Sequence, residues 1–423
     1  MDPAVIIGLA LEAAFAFGLL WWAGALPGWK ERVCCGVLVV CAFAVRAAGF
    51  DHASGDYNDF LAPWVEYFRT NGGFAALDRQ IGNYNVPYLY FLALFSYSKV
   101  SDLYLIKLLS VLFDVVLAYA ALRLAVQCTH KIKRGMAAFF VVLFLPTVVL
   151  NGSLWGQCDS IYVACAVLGI SLALPYGRRG GKERCYPVFS MVAIACSLGF
   201  KLQAVFVLPF YLILWMRGYF RWYHFLAIPL AYSVLMLPAV AAGRDFFEVL
   251  LLYVSEAGTA GEAIAYNAPS LYALVSSTST PAIVAAFVGM GAVLLAAFLL
   301  RKKLGRVDLL VFACLMVTVI PFLLPHMHDR YFLAADVLSV VLAVCLLPAI
   351  VPAVLTQFAS LICYIAYLRC YYLWIGSVVL TPDKGAVALI LALVAYVVLL
   401  AWRLGGLAAL RTRFLQRRAA GTE

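Results

Sequence analysis

The sequence predicts an all-α protein that crosses a membrane many times. Of its 423 residues, 65% are hydrophobic and only 12% are charged, and the mean hydropathy is +0.97. A typical soluble domain is about 45–50% apolar and about 25% charged. A soluble chain of this composition could not cover its core with polar groups. Disordered, collagen-like and disulfide-scaffold classes are excluded by the same numbers.

About thirteen apolar segments approach the roughly 20 residues that a membrane span needs. They lie near 4–26, 33–49, 103–126, 136–151, 159–175, 187–200, 203–217, 222–242, 281–300, 307–325, 331–350, 353–377 and 385–403. The first is not expected to be a cleaved signal, because no basic stretch precedes it and no clear cleavage motif follows. No repeat or linker separates a soluble domain. We therefore expect one integral membrane domain over 1–423, comprising a core module at 50–335 and C-terminal spans with a basic tail at 336–423.

The basic residues lie mainly on alternate connections between the spans. Twenty of the 31 lysines and arginines fall into six groups: Lys30 and Arg32; Lys131, Lys133 and Arg134; Arg178, Arg179, Lys182 and Arg184; Arg217 and Arg221; Arg301, Lys302, Lys303 and Arg306; Arg403, Arg411, Arg413, Arg417 and Arg418. The positive-inside rule predicts that these connections are cytoplasmic, with the N-terminus outside and the C-terminus inside. The net charge of +10 is then a topology signal, and no nucleic-acid partner is expected.

Two long connections on the opposite side, 50–102 and 243–280, are rich in acidic, aromatic, glycine and asparagine residues. In the first, Gly55 allows a turn that would place Asp56 at the membrane surface. Phe60, Trp64 and Phe68 follow at helical spacing, which predicts a short interfacial helix. Asp56 could therefore be a helix N-cap or a general base held at the membrane rim, and spacing alone does not separate the two roles.

Two further polar clusters are predicted on the same side. In the segment 151–160, Trp155 and Gln157 suit stacking and hydrogen bonding to a polyhydroxylated ring, although a tight turn capped by Asp159 has the greater weight. Lys201 interrupts two apolar spans. Its ammonium could snorkel to the interface or bind a phosphate.

The segment Pro325–Phe332 holds the densest group of polar side chains. His326, His328, Asp329 and Arg330 fall within five residues. A histidine pair could bind a metal, but no further ligands follow at a matching spacing, and the chain has no CxxC pair. Arginine and histidine donors suit an anion such as a phosphate better. A solvated loop is the alternative, and it loses weight because the four clusters share one side.

Ionisable residues inside spans are functional candidates by default. Those of this chain are Glu12, Lys107, Asp114, Asp336 and Arg369. Lys107 and Asp114 are seven residues apart on one helix face, so we expect them to pair with each other in a structural role.

Taken in order, these clusters resemble the polytopic glycosyltransferases of the GT-C class, and most of all bacterial relatives of the second GPI mannosyltransferase. Weaker features are shared with the dolichyl-phosphate-glucose glucosyltransferases. The matching pieces are Gly55-Asp56-Tyr57 with Trp64, Leu154-Trp155-Gly156-Gln157 with Asp159, Phe200-Lys201, and His326-Met327-His328-Asp329-Arg330. They extend over residues 50–335, whereas 353–423 matches nothing in the class.

The resemblance implies a GT-C-like helical bundle that moves a hexose, mannose or glucose, from a polyprenyl phosphate to a lipid, glycan or protein acceptor. Transfer would take place outside the cytoplasm, with inversion, and the relatives imply a bacterial cytoplasmic membrane. Asp56 matches the catalytic base, and the substrate would be bound by Asp59, Trp155, Gln157, Asp159, Lys201, His326, His328 and Arg330. No cofactor is implied. Asp56 and Asp59 form no Asp-x-Asp motif, so a divalent metal is not favoured.

Two other classes remain open. A secondary transporter would show repeats and ionisable residues at the midplane, whereas here the polar clusters gather at one rim. A non-catalytic component of envelope assembly would use the long aromatic loops as a docking surface. Within the enzymes, a polymerase or ligase using a diphosphate-linked glycan is the nearest competitor.

Overall fold

The computed structural model describes residues 3–174, 176–179, 182–184, 186–256, 261–369, 373–375 and 378–405. The chain is mainly helical, as predicted. The first helices are α1 Pro3–Trp22, α2 Trp29–Ala47, α3 Ala62–Thr70, α4 Val86–Phe95, α5 Asp102–Thr129, α6 Ile132–Leu143, α7 Pro146–Val149, α8 Asp159–Ala173, α9 Pro187–Phe200 and α10 Leu208–Met216. The later helices are α11 Ala227–Ala241, α12 Phe246–Leu250, α13 Leu252–Glu256, α14 Ser279–Leu300, α15 Arg306–Leu323, α16 Leu333–Cys345, α17 Ile350–Arg369 and α18 Pro382–Arg403.

Short turns and strands join these helices. The π-helical turn Tyr57–Leu61 precedes α3, and the π-helical turn Leu150–Trp155 extends α7. Both turns lie near the polar clusters. The residues that the structure describes form three two-stranded ladders: β1 Tyr176–Arg179 with β2 Lys182–Arg184, β3 Ala265–Tyr266 with β4 Met327–His328, and β5 Leu373–Ile375 with β6 Val378–Leu380. The ladder of β3 and β4 is parallel and joins the second long loop to the histidine cluster.

Seven helical segments of the described chain are long and apolar enough to cross a membrane, or eight if one bent pair is counted. They are Pro3–Trp22, Asp102–Thr129, Trp222–Ala241, Ser279–Leu300, Arg306–Leu323, Leu347–Leu368 and Pro382–Arg403. The bent pair joins Ile132–Leu143 to Pro146–Trp155 at 47°. Other predicted spans coincide with shorter apolar helices, such as α8 and α9. The number of about thirteen therefore stays a prediction, while the integral membrane character is established.

The peripheral helices expose large apolar side chains, as lipid-facing helices must. On α14, for example, Phe287 is 61% exposed and Leu299 is 70% exposed. The core lies between α5, α8, α15 and α16, whose small and β-branched residues are buried. The short helices expected in the first long loop are present as α3 and α4.

The buried charges of the core do not pair as the sequence suggested. Asp114 bonds Arg46 of α2 at 3.0 Å, and Ser160 of α8 donates a hydrogen bond to the same carboxylate. Lys107 instead bonds three backbone carbonyls beyond the end of α2. The predicted pairing of Lys107 with Asp114 is therefore wrong. The two side chains are two helix turns apart on α5, and each has a closer partner on a neighbouring segment.

The basic connections contact one another at one end of the helix bundle. Arg217 donates to the carbonyl oxygens of Arg301 and Leu304. Arg306 contacts His130, and Arg403 pairs with Asp308. The tail residues Arg411, Arg413, Arg417 and Arg418 lie outside the described residues. The polar clusters lie at the far ends of the same helices, so the basic connections and the clusters occupy opposite ends, although which end is cytoplasmic stays a prediction.

Candidate active site

The Asp56 carboxylate is the centre of a hydrogen-bond network. Its Oδ2 accepts hydrogen bonds from Trp155 Nε1 at 3.1 Å, Gln157 Nε2 at 2.6 Å and Arg330 Nη1 at 2.9 Å. Its Oδ1 accepts one from the Tyr367 hydroxyl at 2.6 Å. The side chain makes no helix-capping hydrogen bond, so the N-cap role does not apply. Four donors from three distant parts of the chain fix the orientation of this carboxylate.

The loop that carries Asp56 is held by a buried lysine. Lys107 Nζ donates to the carbonyl oxygens of Gly49 (2.7 Å), Phe50 (3.1 Å) and His52 (2.6 Å). Further along, Ser54 Oγ donates to the Trp155 carbonyl at 2.7 Å and accepts from the Tyr57 amide at 3.2 Å. These bonds fasten the Asp56 loop to α5 and to the loop of Trp155, which is itself a donor to Asp56.

Trp155 and Gln157 occupy a tight turn between the bent helix pair and α8. The turn is possible because Gly156 has a φ of 76°, the left-handed region that glycine favours. The Trp155 ring stacks on Tyr367 with centroids 4.4 Å apart. Tyr84 donates to Gln157 Oε1 at 3.1 Å, which directs the Gln157 amide nitrogen toward Asp56.

A second carboxylate, Asp159, lies behind the first and is fully buried. It forms an ion pair with Lys201. Asn151 Nδ2 donates to its Oδ2 at 2.9 Å, and Arg330 Nε is 4.0 Å from the same oxygen. Arg330 therefore lies between the two carboxylates, Asp56 and Asp159. The expected helix cap at Asp159 is not observed, since α8 has no side-chain capping bond.

The two histidines of the densest cluster point in different directions. His326 has a left-handed φ of 59°, and its ring bonds Ser279 Oγ and the Ala263 carbonyl at 2.7 and 2.8 Å. His328 stacks on Tyr266 with centroids 4.7 Å apart and nearly parallel rings. His328 also lies against Tyr331, with ring centroids 5.2 Å apart, so the two histidines contact different partners.

Burial also sets the charges of this segment. Burial, together with the nearby Arg330 and Lys201, lowers the pKa of His328 to about 4, so the ring is neutral at pH 7. Burial raises the pKa of Asp329 to about 7, although Asn267 donates to its Oδ2 at 2.8 Å. The fixed cations of the site are therefore Lys201 and Arg330, each already next to a carboxylate.

Two cavities meet at Arg330. The first, about 460 Å³, is the Asp56 cavity, and its walls include Asp56, Phe60, Leu61, Trp64, Trp155, Gln157, Asn267, Asp329 and Tyr367. The second, about 580 Å³, is the Lys201 cavity, and its walls include Asn85, Phe200, Lys201, Leu202, Gln203, Tyr253, Gly261, Ile283, Leu324, Pro325, His326 and Met327. Both are lined by Asn83, Tyr84, Tyr266, His328, Arg330 and Tyr331. One cavity is mainly aromatic, and the other carries the lysine.

Most of the residues predicted from the sequence therefore meet around these cavities. Asp56, Trp155, Gln157, Lys201, His326, His328 and Arg330 line one or both cavities, and Asp159 lies behind Lys201. Asp59 is exposed and lines neither cavity. Within the described ranges, no three His, Cys, Asp or Glu side chains are placed to hold a metal ion. The roles of all these residues stay predictions.

The sequence interpretation missed Tyr367, Tyr84 and Asn267. Tyr367 gives no signal of its own, because it lies inside the predicted apolar span 353–377 among other aromatic residues. Tyr84 and Asn267 lie in the long loops without a motif around them. Their position in the two long loops predicted on the same side as Asp56 is the one signal that points to them.

The comparisons with known proteins show a similarity of fold only. No protein family and no curated protein matches the sequence. Among solved structures, the crystal structure of ArnT from Cupriavidus metallidurans in the apo state is similar, at 12% identity and a TM-score of 0.49. The similarity covers 87% of this chain and 76% of that one. At this identity it says nothing about which substrate this chain uses.

Proposed function

We propose that this chain is an inverting glycosyltransferase of the GT-C type. It would transfer a hexose from a polyprenyl phosphate to an acceptor hydroxyl on the extracytoplasmic side. The observation that carries the proposal is the position of Asp56, a fixed carboxylate in the wall of an aromatic cavity, directly beside a cation shared with a second cavity. The resemblance of the sequence motifs to GT-C enzymes supports the same reaction.

The Lys201 cavity suits the donor. Its walls combine the cations Lys201 and Arg330 with apolar residues that reach the outer surface of the helices, where Leu202 is 37% exposed and Ile283 is 41% exposed. A phosphate could lie beside the cations while its prenyl chain passes these side chains into the bilayer. Gln203 Oε1 is buried without a hydrogen-bond partner in the described structure, and a hydroxyl of the donor sugar could donate to it.

The Asp56 cavity suits the acceptor. Aromatic rings and amides form most of its lining, a combination that binds sugar rings and other amphipathic groups. Asp56 would take the proton of the acceptor hydroxyl as the oxygen attacks the anomeric carbon from the face opposite the phosphate. The bond from that carbon to the phosphate oxygen breaks, its electron pair stays on the phosphate, and the anomeric configuration inverts.

Arg330 would link donor binding to base activity. A carboxylate offers about four lone-pair positions, and Asp56 accepts four hydrogen bonds. Three of these bonds end on Oδ2 and only one ends on Oδ1, so Oδ1 keeps a lone-pair position for the proton of the acceptor. Arg330 is the donor that also lines the Lys201 cavity, and its Nε has no hydrogen-bond partner within the described residues. A phosphate in that cavity would compete with Asp56 Oδ2 for the guanidinium.

A transfer assay tests the proposal. Purified full-length protein in nanodiscs would be given labelled polyprenyl-phosphate mannose or glucose and a panel of lipid, glycan and peptide acceptors. Asp56→Asn should lower kcat by about 10² to 10⁴, the range for losing a general base. Asp78→Asn is the matched control, because Asp78 lies on the same loop and lines neither cavity. Activity that survives a chelator would support a metal-free reaction.

Three outcomes would reject the proposal. Full turnover in a folded Asp56→Asn variant would remove Asp56 from the role of base. Consumption of a diphosphate-linked glycan in place of the monophosphate donors would favour a ligase. Uptake of a solute by sealed vesicles, with no sugar donor consumed, would favour a transporter.

A further inference from the structure

A third cavity, an apolar groove of about 830 Å³, lies between α6, α16 and α17. We call it the α6–α17 groove, and it is lined by Lys133, Arg134, Ala137, Val141, Val340, Ala343, Val344, Leu347, Ile350, Ala353, Val354, Gln357, Phe358 and Leu361. Val340 and Ala353 are buried at its floor, whereas Leu347 and Val354 are 71% and 60% exposed at its rim. From Ile350 to Leu361 the groove follows α17 for about 16 Å, at 1.5 Å per residue.

The charges of the groove lie at one end and have one sign. Lys133 and Arg134 are the only charged residues among its lining side chains, and both belong to the first turn of α6. Arg134 Nη1 donates to the Cys345 carbonyl at 2.8 Å, which holds the guanidinium at the groove entrance. Lys133 is exposed. An anion next to an apolar chain complements this arrangement, because basic pockets between membrane helices bind lipid phosphates.

The groove is separate from the candidate active site. Lys133 lies at the start of the bent helix pair that ends at Trp155, 22 residues later. At 1.5 Å per residue this separation is about 30 Å along the helices. A lipid phosphate beside Lys133 therefore could not also lie next to Asp56, which excludes one donor molecule as the occupant of both places.

We propose that the α6–α17 groove binds one anionic glycerophospholipid of the leaflet at the basic end of the bundle. One acyl chain lies along α17, and the phosphate contacts Lys133 and Arg134. The lipid would fill the space between α6 and α17. Tyr367 lies near the other end of α17, and Trp155 ends the bent helix pair that begins with α6. The binding is independent of the proposed transfer reaction, and its test needs no enzymatic activity.

The test uses native mass spectrometry of the purified full-length protein in detergent, with phosphatidylglycerol as the probe and phosphatidylcholine with the same chains as the reference. We expect one retained phosphatidylglycerol and weaker retention of phosphatidylcholine. Lys133→Gln should weaken phosphatidylglycerol binding about fivefold, the effect of one basic residue at a lipid surface. Lys131→Gln is the matched control, since Lys131 is exposed, lies two residues away and does not line the groove.

A second variant tests the groove itself. Ala137 lines the groove and is exposed, so Ala137→Phe should block the chain and abolish the retained adduct without disturbing the core. Equal weakening by Lys131→Gln and Lys133→Gln would overturn the proposal in favour of diffuse attraction. So would unchanged binding to folded Ala137→Phe, or displacement of phosphatidylglycerol by equimolar polyprenyl phosphate. Lys133→Gln removes only a surface charge, so the proposal stays testable if Ala137→Phe does not fold.

Discussion

Arg330 Nη1 donates a hydrogen bond of 2.9 Å to Asp56 Oδ2, joining residues that are 274 positions apart. The same guanidinium lies 5.5 Å from the Trp155 ring centroid and 4.0 Å from Asp159. A single side chain thus contacts the predicted base, the aromatic wall and the second carboxylate. The proposed reaction depends on this position more than on any other.

Arg330→Gln should weaken the use of the donor. Losing a charge-assisted hydrogen bond costs about 1.5–3 kcal/mol, so kcat/KM for the polyprenyl-phosphate sugar should fall by about ten- to a hundredfold. Arg330→Lys keeps the charge but not the fork that reaches two partners, and it should be intermediate. Arg79→Gln is the control, because Arg79 is exposed outside both cavities. Unchanged steady-state kinetics in Arg330→Gln would contradict a phosphate-binding role.

Lys107→Met should affect both stability and turnover. The substitution leaves three carbonyl acceptors at Gly49, Phe50 and His52 without their ammonium donor, and buried groups left unsatisfied cost about 1–3 kcal/mol. Because this loop leads to Asp56, kcat should fall while KM for the donor changes little. The measurements are thermal unfolding in detergent and initial rates. Lys99→Met, at an exposed lysine on the same side, should change neither, and a similar loss in both variants would refute the positioning role.

The pair of Asp159 and Lys201 should behave as a coupled unit. Both side chains are buried, and removing one partner of a buried pair costs about 3–5 kcal/mol because the other charge is left alone. Asp159→Asn and Lys201→Met should each lower the unfolding midpoint strongly. The double variant should be less destabilised than the sum of the two, as a double-mutant cycle would measure. Simple additivity would mean that the two charges do not interact.

Asp329 should make stability depend on pH. Its pKa is raised by burial to about 7, above the value it has in an unfolded chain, so the folded protein holds this proton more tightly. The stabilisation is complete below the unfolded pKa and is lost as the pH rises through about 7. The difference between wild type and Asp329→Asn should therefore shift in favour of the variant between pH 5 and 8, by at most about 1.4 kcal/mol per pH unit. Parallel pH profiles of thermal unfolding for the two proteins would contradict this.

Local patterns predicted the helical segments that stand out by length and composition. α1, α14 and α18 follow directly from long, mostly apolar runs. The shorter helices α8 and α9 are apolar as well, but their length does not reveal whether they cross the bilayer. A hydropathy pattern shows that a segment is buried in lipid or protein, but it does not show whether the segment crosses the whole bilayer. The number of spans was therefore the weaker part of the prediction.

The candidate site, too, was predictable from the sequence only in part. Asp56, Trp155, Gln157 and Arg330 belong to recognisable clusters, and their common side of the membrane followed from the distribution of lysine and arginine. Tyr367 and the pairing of Lys201 with Asp159 did not follow, because both depend on which helices are neighbours. The same reason explains why Lys107 bonds the Asp56 loop and Asp114 bonds Arg46.

The amino-acid sequence is enough to show that this protein lies in a membrane and that its scarce polar residues form a few clusters along the chain. Composition and hydropathy decide those properties, because apolar surface must leave water wherever the helices pack. The packing of the helices, in contrast, is what lets Asp56 accept hydrogen bonds from three distant segments and places Arg330 in the walls of two cavities. Such contacts depend on side chains meeting within about 3 Å, a distance set by helix packing and absent from any local pattern.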